Sequence, residues 1–378
     1  MPMTRIVSLL IGLGLLATAC APAAPSPTAA PSKPTEAPKP AAPAAAPAAS
    51  PAAAAPAVPA QPAAATSAPA AAPGKLDTVT YSIPSPNGFH MPILVGVDQQ
   101  VFEKRGIKVD MVASGSSGVA MTQAVLGGSL HFAPVTIATA LAAQAKEPDL
   151  MMIMGQFVGV PYSIMTPPEI KSVQDLKGKT AGATALKVGG DIEAIRLMLG
   201  ENGLKLEQDY TVVVSGGTAE RIAALQNRSV QFEAQLEPQI TQIKDMGFVE
   251  LLRGSDIPAL RTPVQVVLIA KKSWYQQNED VAVRFVRGYL DTLAYIYDPK
   301  NKDDVLAVIQ KEAKVEAGPA NALYTRNVEQ LQAYIKDCMI TESAMASAVS
   351  LMKKLDIEAP DDPMHFVDMS LVQKASKL

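Results

Sequence analysis

Four short stretches carry the side chains on which chemistry can be built. The run PSPNGFH brings Asn87, Phe89 and His90 together as an amide, a stacking ring and an imidazole. An unperturbed imidazole titrates near ~6.5, so its surroundings decide whether it is charged. The run SGSSG over 114–118 places Gly115, Ser116 and Ser117 where the pattern starts a helix. Gly189-Gly190, led by Thr184, and Gly217-Thr218 repeat that arrangement further on. Free N–H groups and the positive end of the helix dipole at such starts suit a carboxylate, sulfonate or phosphate. Ser117 and Thr218 serve equally well as plain N-caps. Val135 and Thr136 end a strand beside these loops. Glu237 is an acceptor for an amine or ring N–H of a ligand, or else the cap of a helix begun by Pro238. The Pro/Asn stretch has its own bland reading, a turn with Phe89 packed inward.

A reaction needs a nucleophile and a base within mutual reach, and no His/Cys/Asp group can be assembled here. His90, His131 and His365 are far apart and lack metal-ligand spacing. His131 reads as packed on a strand. No metal and no cofactor is expected. Met151, Met152 and Met154 read as a buried strand, methionine being a common gap-filler. A formal net charge of −3 gives no electrostatic footprint for nucleic acid.

The elements that must position these loops form a repeat. VTYSI at 79–83 reads as a strand, a helix covers about Met91 to Lys104, and IKVDMV is a second strand. From Thr180 the order recurs, with a helix at about Asp191–Glu201 and then a strand ending at Ser215-Gly216. Gly106-Ile107-Lys108 matches Gly203-Leu204-Lys205, and SLHFA at 129–133 matches SVQFEA at 229–234. Strand–helix alternation builds a mostly parallel sheet with helices on its faces. Two copies predict two α/β lobes, 76–162 with 264–378 and 163–263. LMMIMGQF at 150–157 and VQVVLIA at 264–270 read as apolar strands beside the two crossings. Two crossings make a hinge, and a hinge makes a cleft. Helices are expected over 280–296, 302–313, 319–337 and 342–354, as a cover for the first lobe.

The N-terminus is an address. Arg5, the apolar run Ile6–Leu16 and small residues ending at Cys20 read as a secretory signal over 1–19. The cysteine after small residues resembles the bacterial lipobox, which implies cleavage and lipidation at Cys20. Residues 20–75 are almost wholly Ala and Pro, a composition without the apolar side chains of a core, and read as a disordered tether. Cys338 then has no partner and reads as a small buried residue on a helix. Export and a lipid anchor at the cell membrane or periplasm are expected, with a monomeric body.

Taken together, VFEKRGIKVDMV, SGSSGVAMTQAVLGGSLHFAPV, IKSVQDLKGKTAGA and FEAQLEPQI resemble the solute-binding proteins of ABC importers for nitrate, sulfonate, taurine and thiamine-pyrimidine precursors. The resemblance covers nearly all of 78–296. It implies the two-lobed periplasmic-binding-protein fold of type II, no catalysis, and delivery of a small solute to a permease and its ATPase. An enzyme on the same fold, of the pyrimidine synthase or lyase type, and a ligand-sensing module for a sensor kinase are the alternatives. His131, Glu233 and Leu236 depart from the family pattern, which leaves an organic anion and a flat heterocycle both open as solute.

Overall fold

The computed structural model describes residues 75–113, 117–144 and 146–378. The signal segment, Cys20 and the Ala/Pro stretch up to residue 74 lie outside them, as do Gly115 and Ser116.

Strand β1 (Asp77–Ser82) is rich in Thr, Val and Tyr, and its alternate residues Val79 and Tyr81 are fully buried. Helix α1 (Met91–Asp98) follows. It ends before the expected Lys104 because Phe102 turns inward against Gly96 and Gly288. A Cβ at either glycine would meet the Phe102 ring at 2.4 or 2.6 Å. Strand β2 (Ile107–Val112) pairs parallel with β1 from Asp77↔Ile107 to Ser82↔Val112. Next come α2 (Gly118–Leu126), β3 (Ala133–Thr136), α3 (Ile137–Gln144) and β4 (Leu150–Val158). A parallel bridge from Tyr81 to Phe132 brings β1 alongside the start of β3.

The chain then crosses to β5 (Ser163–Thr166) and repeats the pattern. It passes through β6 (Lys179–Ala183), α4 (Gly190–Glu201), β7 (Tyr210–Val214), α5 (Thr218–Gln226), β8 (Phe232–Gln235), α6 (Gln239–Asp245) and β9 (Val249–Arg253). These strands form one sheet in the order β7-β6-β8-β5-β9. Strand β10 (Val264–Lys271) returns to the first group and lies between β3 and β4. With the Tyr81–Phe132 bridge the first group reads β2-β1-β3-β10-β4, the same order as the second. In each group a parallel β–α–β unit is extended by a strand that follows a crossing, and β5 and β10 both pair antiparallel with their neighbours.

The C-terminal part is helical: α7 (Lys272–Gln277), α8 (Glu279–Tyr297), α9 (Lys302–Ala313), α10 (Ala317–Tyr324), α11 (Glu342–Lys354) and α12 (Ser370–Ala375). Phe285 of α8 stacks on Phe132 at 4.3 Å and on Phe102 at 5.3 Å between centroids, which fixes α8 to the first group of strands. The helix expected over 319–337 is shorter. It runs on from α10 as a π-helical turn, Thr325–Gln330, and then stops. Beyond it Gln332 has φ 45, and Tyr334 makes a bridge to Phe157. Cys338 is buried as expected, but in the turn that follows, at φ 54, and not on a helix. No helix among the described residues is long and apolar enough to cross a membrane.

Candidate functional site

The carboxyl ends of the parallel strands from the two groups meet at a cavity of about 130 Å³. That is the setting in which open α/β sheets hold ligands. One wall is built by the loop after β1, the first turns of α2 and α3, and the end of β3. The other comes from the loops before α4 and α5, the end of β8 and Tyr162.

Most of the residues singled out in the sequence line this space: Asn87, Phe89, His90, Val135, Thr136, Thr184, Gly189, Gly190, Gly217 and Thr218. Asn87 Oδ1 accepts from the Phe89 N–H at 3.0 Å, and Asn87 Nδ2 donates to Ser85 Oγ, so its amide holds the loop. Phe89 packs edge-on against Phe157 at 4.9 Å and Tyr162 at 5.7 Å. His90 is buried at the start of α1, and its Nδ1 has no hydrogen-bond partner. Burial lowers its pKa to about 4, so near neutral pH the ring is uncharged and one nitrogen is free to accept.

Thr136 is engaged across the cavity. Its hydroxyl donates to Glu193 Oε1 of α4 at 3.0 Å, and the same oxygen accepts from the Gly189 N–H at 3.0 Å. Thr184 presents its N–H and hydroxyl to the two Asp191 oxygens, each at 2.6 Å. The start of α4 is therefore already occupied by the protein's own carboxylates. The start of α5 is not: its N-cap is Gly217, with no side-chain cap. Thr218 is not the cap, and its hydroxyl lies 3.4 Å from Ser85 Oγ.

Sequence reasoning missed the charged centre of the site. Arg221, one turn into α5, lines the cavity and is 4% exposed. It lies 3.4 Å from Asp191 and 3.5 Å from Glu233 of β8, and its Nε has no hydrogen-bond partner. Burial raises the carboxyls of Glu193 and Glu233 to about 7, against the donors each accepts from. Ser85, Thr139, Tyr162, Asp191, Gln235 and Gln239 complete the polar lining. The signal for Arg221 was in the repeat: Gly118 and Met121 of α2 hold the stations of Thr218 and Arg221 in α5, and all four face the cavity.

Two expectations are corrected. Glu237 is not in the lining. Its Oε2 accepts from the Thr241 N–H at 3.2 Å and hydroxyl at 3.0 Å, so it caps the first turn of α6. Burial raises its pKa, opposed by Arg326. Ser117 also points elsewhere, accepting from the Ala120 N–H at 3.3 Å as the N-cap of α2. His131 packs on the strand as expected, 4.5 Å from Trp274 between ring centroids.

A family model described as NMT1/THI5 like matches residues 87–302. The chain belongs to the NMT1/THI5-like family. No curated protein matches it in sequence. Among solved structures it is similar to the ligand-binding component of an ABC-type import system from Staphylococcus aureus, with TM-score 0.64 and 16% identity over 81% of this chain and 100% of that one. It is also similar to the alkanesulfonate-binding protein of Xanthomonas axonopodis pv. citri, with TM-score 0.61 and 16% identity over 81% and 99%. The periplasmic nitrate-binding protein of Synechocystis PCC 6803 aligns with TM-score 0.66 and 12% identity over 80% and 89%. The fold is that of periplasmic binding proteins.

Within this NMT1/THI5-like chain the cavity brings one imidazole, His90, and one guanidinium, Arg221, together. His90 Nδ1 is unpartnered, and Glu237 is turned to Thr241. Arg221 is held between two carboxylates and cannot yield a proton.

Proposed function

We propose that this chain captures a small organic anion between two lobes and delivers it to the permease and ATPase of an ABC-type importer. The observation that carries the reading is Arg221. It is a buried guanidinium one turn inside the uncapped N-terminus of α5, lining the cavity, with its Nε 3.5 Å from Glu233 and not hydrogen-bonded. Free helix N–H groups, the dipole and a fixed guanidinium act together on a carboxylate, sulfonate or similar group. Thr184, Gly189, Gly190, Gly217 and Thr218 approach the solute from the same side, Asn87, Phe89, His90, Val135 and Thr136 from the other. Gly115 and Ser116, expected from the sequence as ligand contacts, lie outside the described residues.

In this reading lobe 1 comprises 76–162 with 264–378, and lobe 2 comprises 163–263. The connections after β4 and before β10 are the hinge. The protein is exported by its first nineteen residues, anchored by lipid at Cys20 and held off the membrane by the Ala/Pro tether. The family and the solved relatives support the solute-binding part of this reading.

A thermal-shift screen of the full chain against alkanesulfonates, taurine, nitrate, small carboxylates, pyrimidines and flavins tests it. A true ligand at a hundred times its Kd stabilises by about 2.7 kcal/mol. An anion is expected to give the shift, and Arg221→Gln is expected to abolish it. A shift from an uncharged heterocycle that survives Arg221→Gln would replace the anion.

A further inference from the structure

Helix α4 faces two ways. Ile192, Ile195 and Leu199 are fully buried in the core. Glu193, Arg196 and Glu201, at i, i+3 and i+8, fall on one side of a 3.6-residue helix, and all three reach elements of the first strand group. Glu193 receives the Thr136 hydroxyl at the end of β3. Arg196 donates to the Leu355 carbonyl at the end of α11 and lies 3.9 Å from Asp356. Glu201 pairs with Lys354 at 2.5 Å. Helix α11 is fixed to the first group, since Met345, Ala348 and Met352 share a core with Val135, Val267 and Ile269.

The physics of the Arg196 contact is specific. The last carbonyls of a helix have no partner within it and sit at the negative end of its dipole. The guanidinium of α4 therefore serves as the C-terminal cap of α11, although the two helices belong to different sheets.

We propose that the polar side of α4 is a closing latch, which clasps the end of α11 and the end of β3 and holds the cavity shut before solute arrives. The inference rests on the reading that solute enters between the two strand groups. Its consequence is affinity tuning by residues that touch no solute. A receptor already closed for part of the time binds with less loss to the conformational equilibrium.

The Gly88 amide reports closure directly, because it donates to the Glu237 carbonyl across the two groups at 3.1 Å. Hydrogen exchange at Gly88 is measured on the full chain without solute, so its outcome does not depend on which solute is bound. Glu201→Lys and Lys354→Glu should each speed that exchange about two- to five-fold, the range of an ion pair of this exposure. The double swap Glu201→Lys with Lys354→Glu should return it to the wild-type rate. Wild-type protein in about 0.5 M salt should also exchange faster at Gly88, through screening of the same pair. Single swaps that leave Gly88 unchanged, or a double swap no slower than the singles, would overturn the latch.

Discussion

His131 and Gln231 hold the same station in the two strand groups. His131 Nδ1 accepts from the Thr80 N–H at 2.9 Å, and Gln231 Oε1 accepts from the Thr180 N–H at 3.1 Å. In return the His131 and Gln231 N–H groups donate to the Thr80 and Thr180 carbonyls. An imidazole and a carboxamide thus perform one structural task. A backbone N–H can only donate, so Nδ1 of His131 is unprotonated in the folded protein.

His131→Gln should therefore be nearly neutral, while His131→Ala should cost about 1–2 kcal/mol by leaving the Thr80 N–H short of its acceptor. Urea unfolding of both variants at neutral pH checks this. Partial burial lowers the His131 pKa. Its contribution is thus complete above the unfolded value of ~6.5 and is lost as pH falls below it. The Gln variant should lack that dependence.

His90 should add a steeper acid sensitivity. Its folded pKa is about 4, so between that value and ~6.5 the unfolded chain binds a proton that the folded chain does not. Stability should fall as pH drops through this window, by up to ~3 kcal/mol at about 1.36 kcal/mol per pH unit. Glu193 and Glu233 act oppositely: their raised values make the folded state the better proton binder above the ordinary carboxyl range. The histidine part is read as the difference between wild type and His90→Gln in calorimetric scans, which should shift in favour of wild type as pH rises from about 4 to ~6.5 and stay level above that.

Gly190 is fitted to Tyr162. A Cβ there would meet the Tyr162 hydroxyl oxygen at 2.3 Å and the ring carbon bearing it at 3.2 Å. Gly190→Ala should cost about 1–3 kcal/mol through overpacking. Tyr162→Phe should recover part of that loss in the double variant, because it deletes the atom in closest contact. A double-mutant cycle showing no coupling between the two positions would contradict this packing.

Glu237→Gln should leave solute affinity within two-fold of wild type, since the carboxyl faces Thr241 and not the cavity. Calorimetric titration with the ligand found by screening is the measurement. Its expected effect is a loss of under about 1 kcal/mol in stability, as a Gln oxygen can still accept at the start of α6.

Much of this was legible in the sequence because local signals and tertiary structure agree. Apolar runs bounded by Gly and Pro give β4 and β10, and helical spacing gives α8, α9 and α11 nearly to the residue. The loops after β1, β6 and β7 were found because Gly and Asn mark strand-to-helix turns. What stayed hidden depends on contacts remote in sequence. Arg221 reads as a solvent-facing helix residue until Asp191 and Glu233 surround it. Glu237 invites a ligand role until Thr241, four residues on, takes its oxygen. The early stop of α1 follows from a ring, Phe102, that finds its glycines on α1 itself and on distant α8.

The place of β10 has a bearing on biosynthesis. All strands of the second group lie in one unbroken stretch from Ser163 to Arg253, whereas β3 and β4 are joined only by residues 264–271, which follow that stretch. A chain emerging from its N-terminus can therefore complete the inserted sheet first. The surrounding one waits for a strand that arrives last, threaded antiparallel between two neighbours already present. Until then β3 and β4 carry open hydrogen-bonding edges, the segment most in need of shielding.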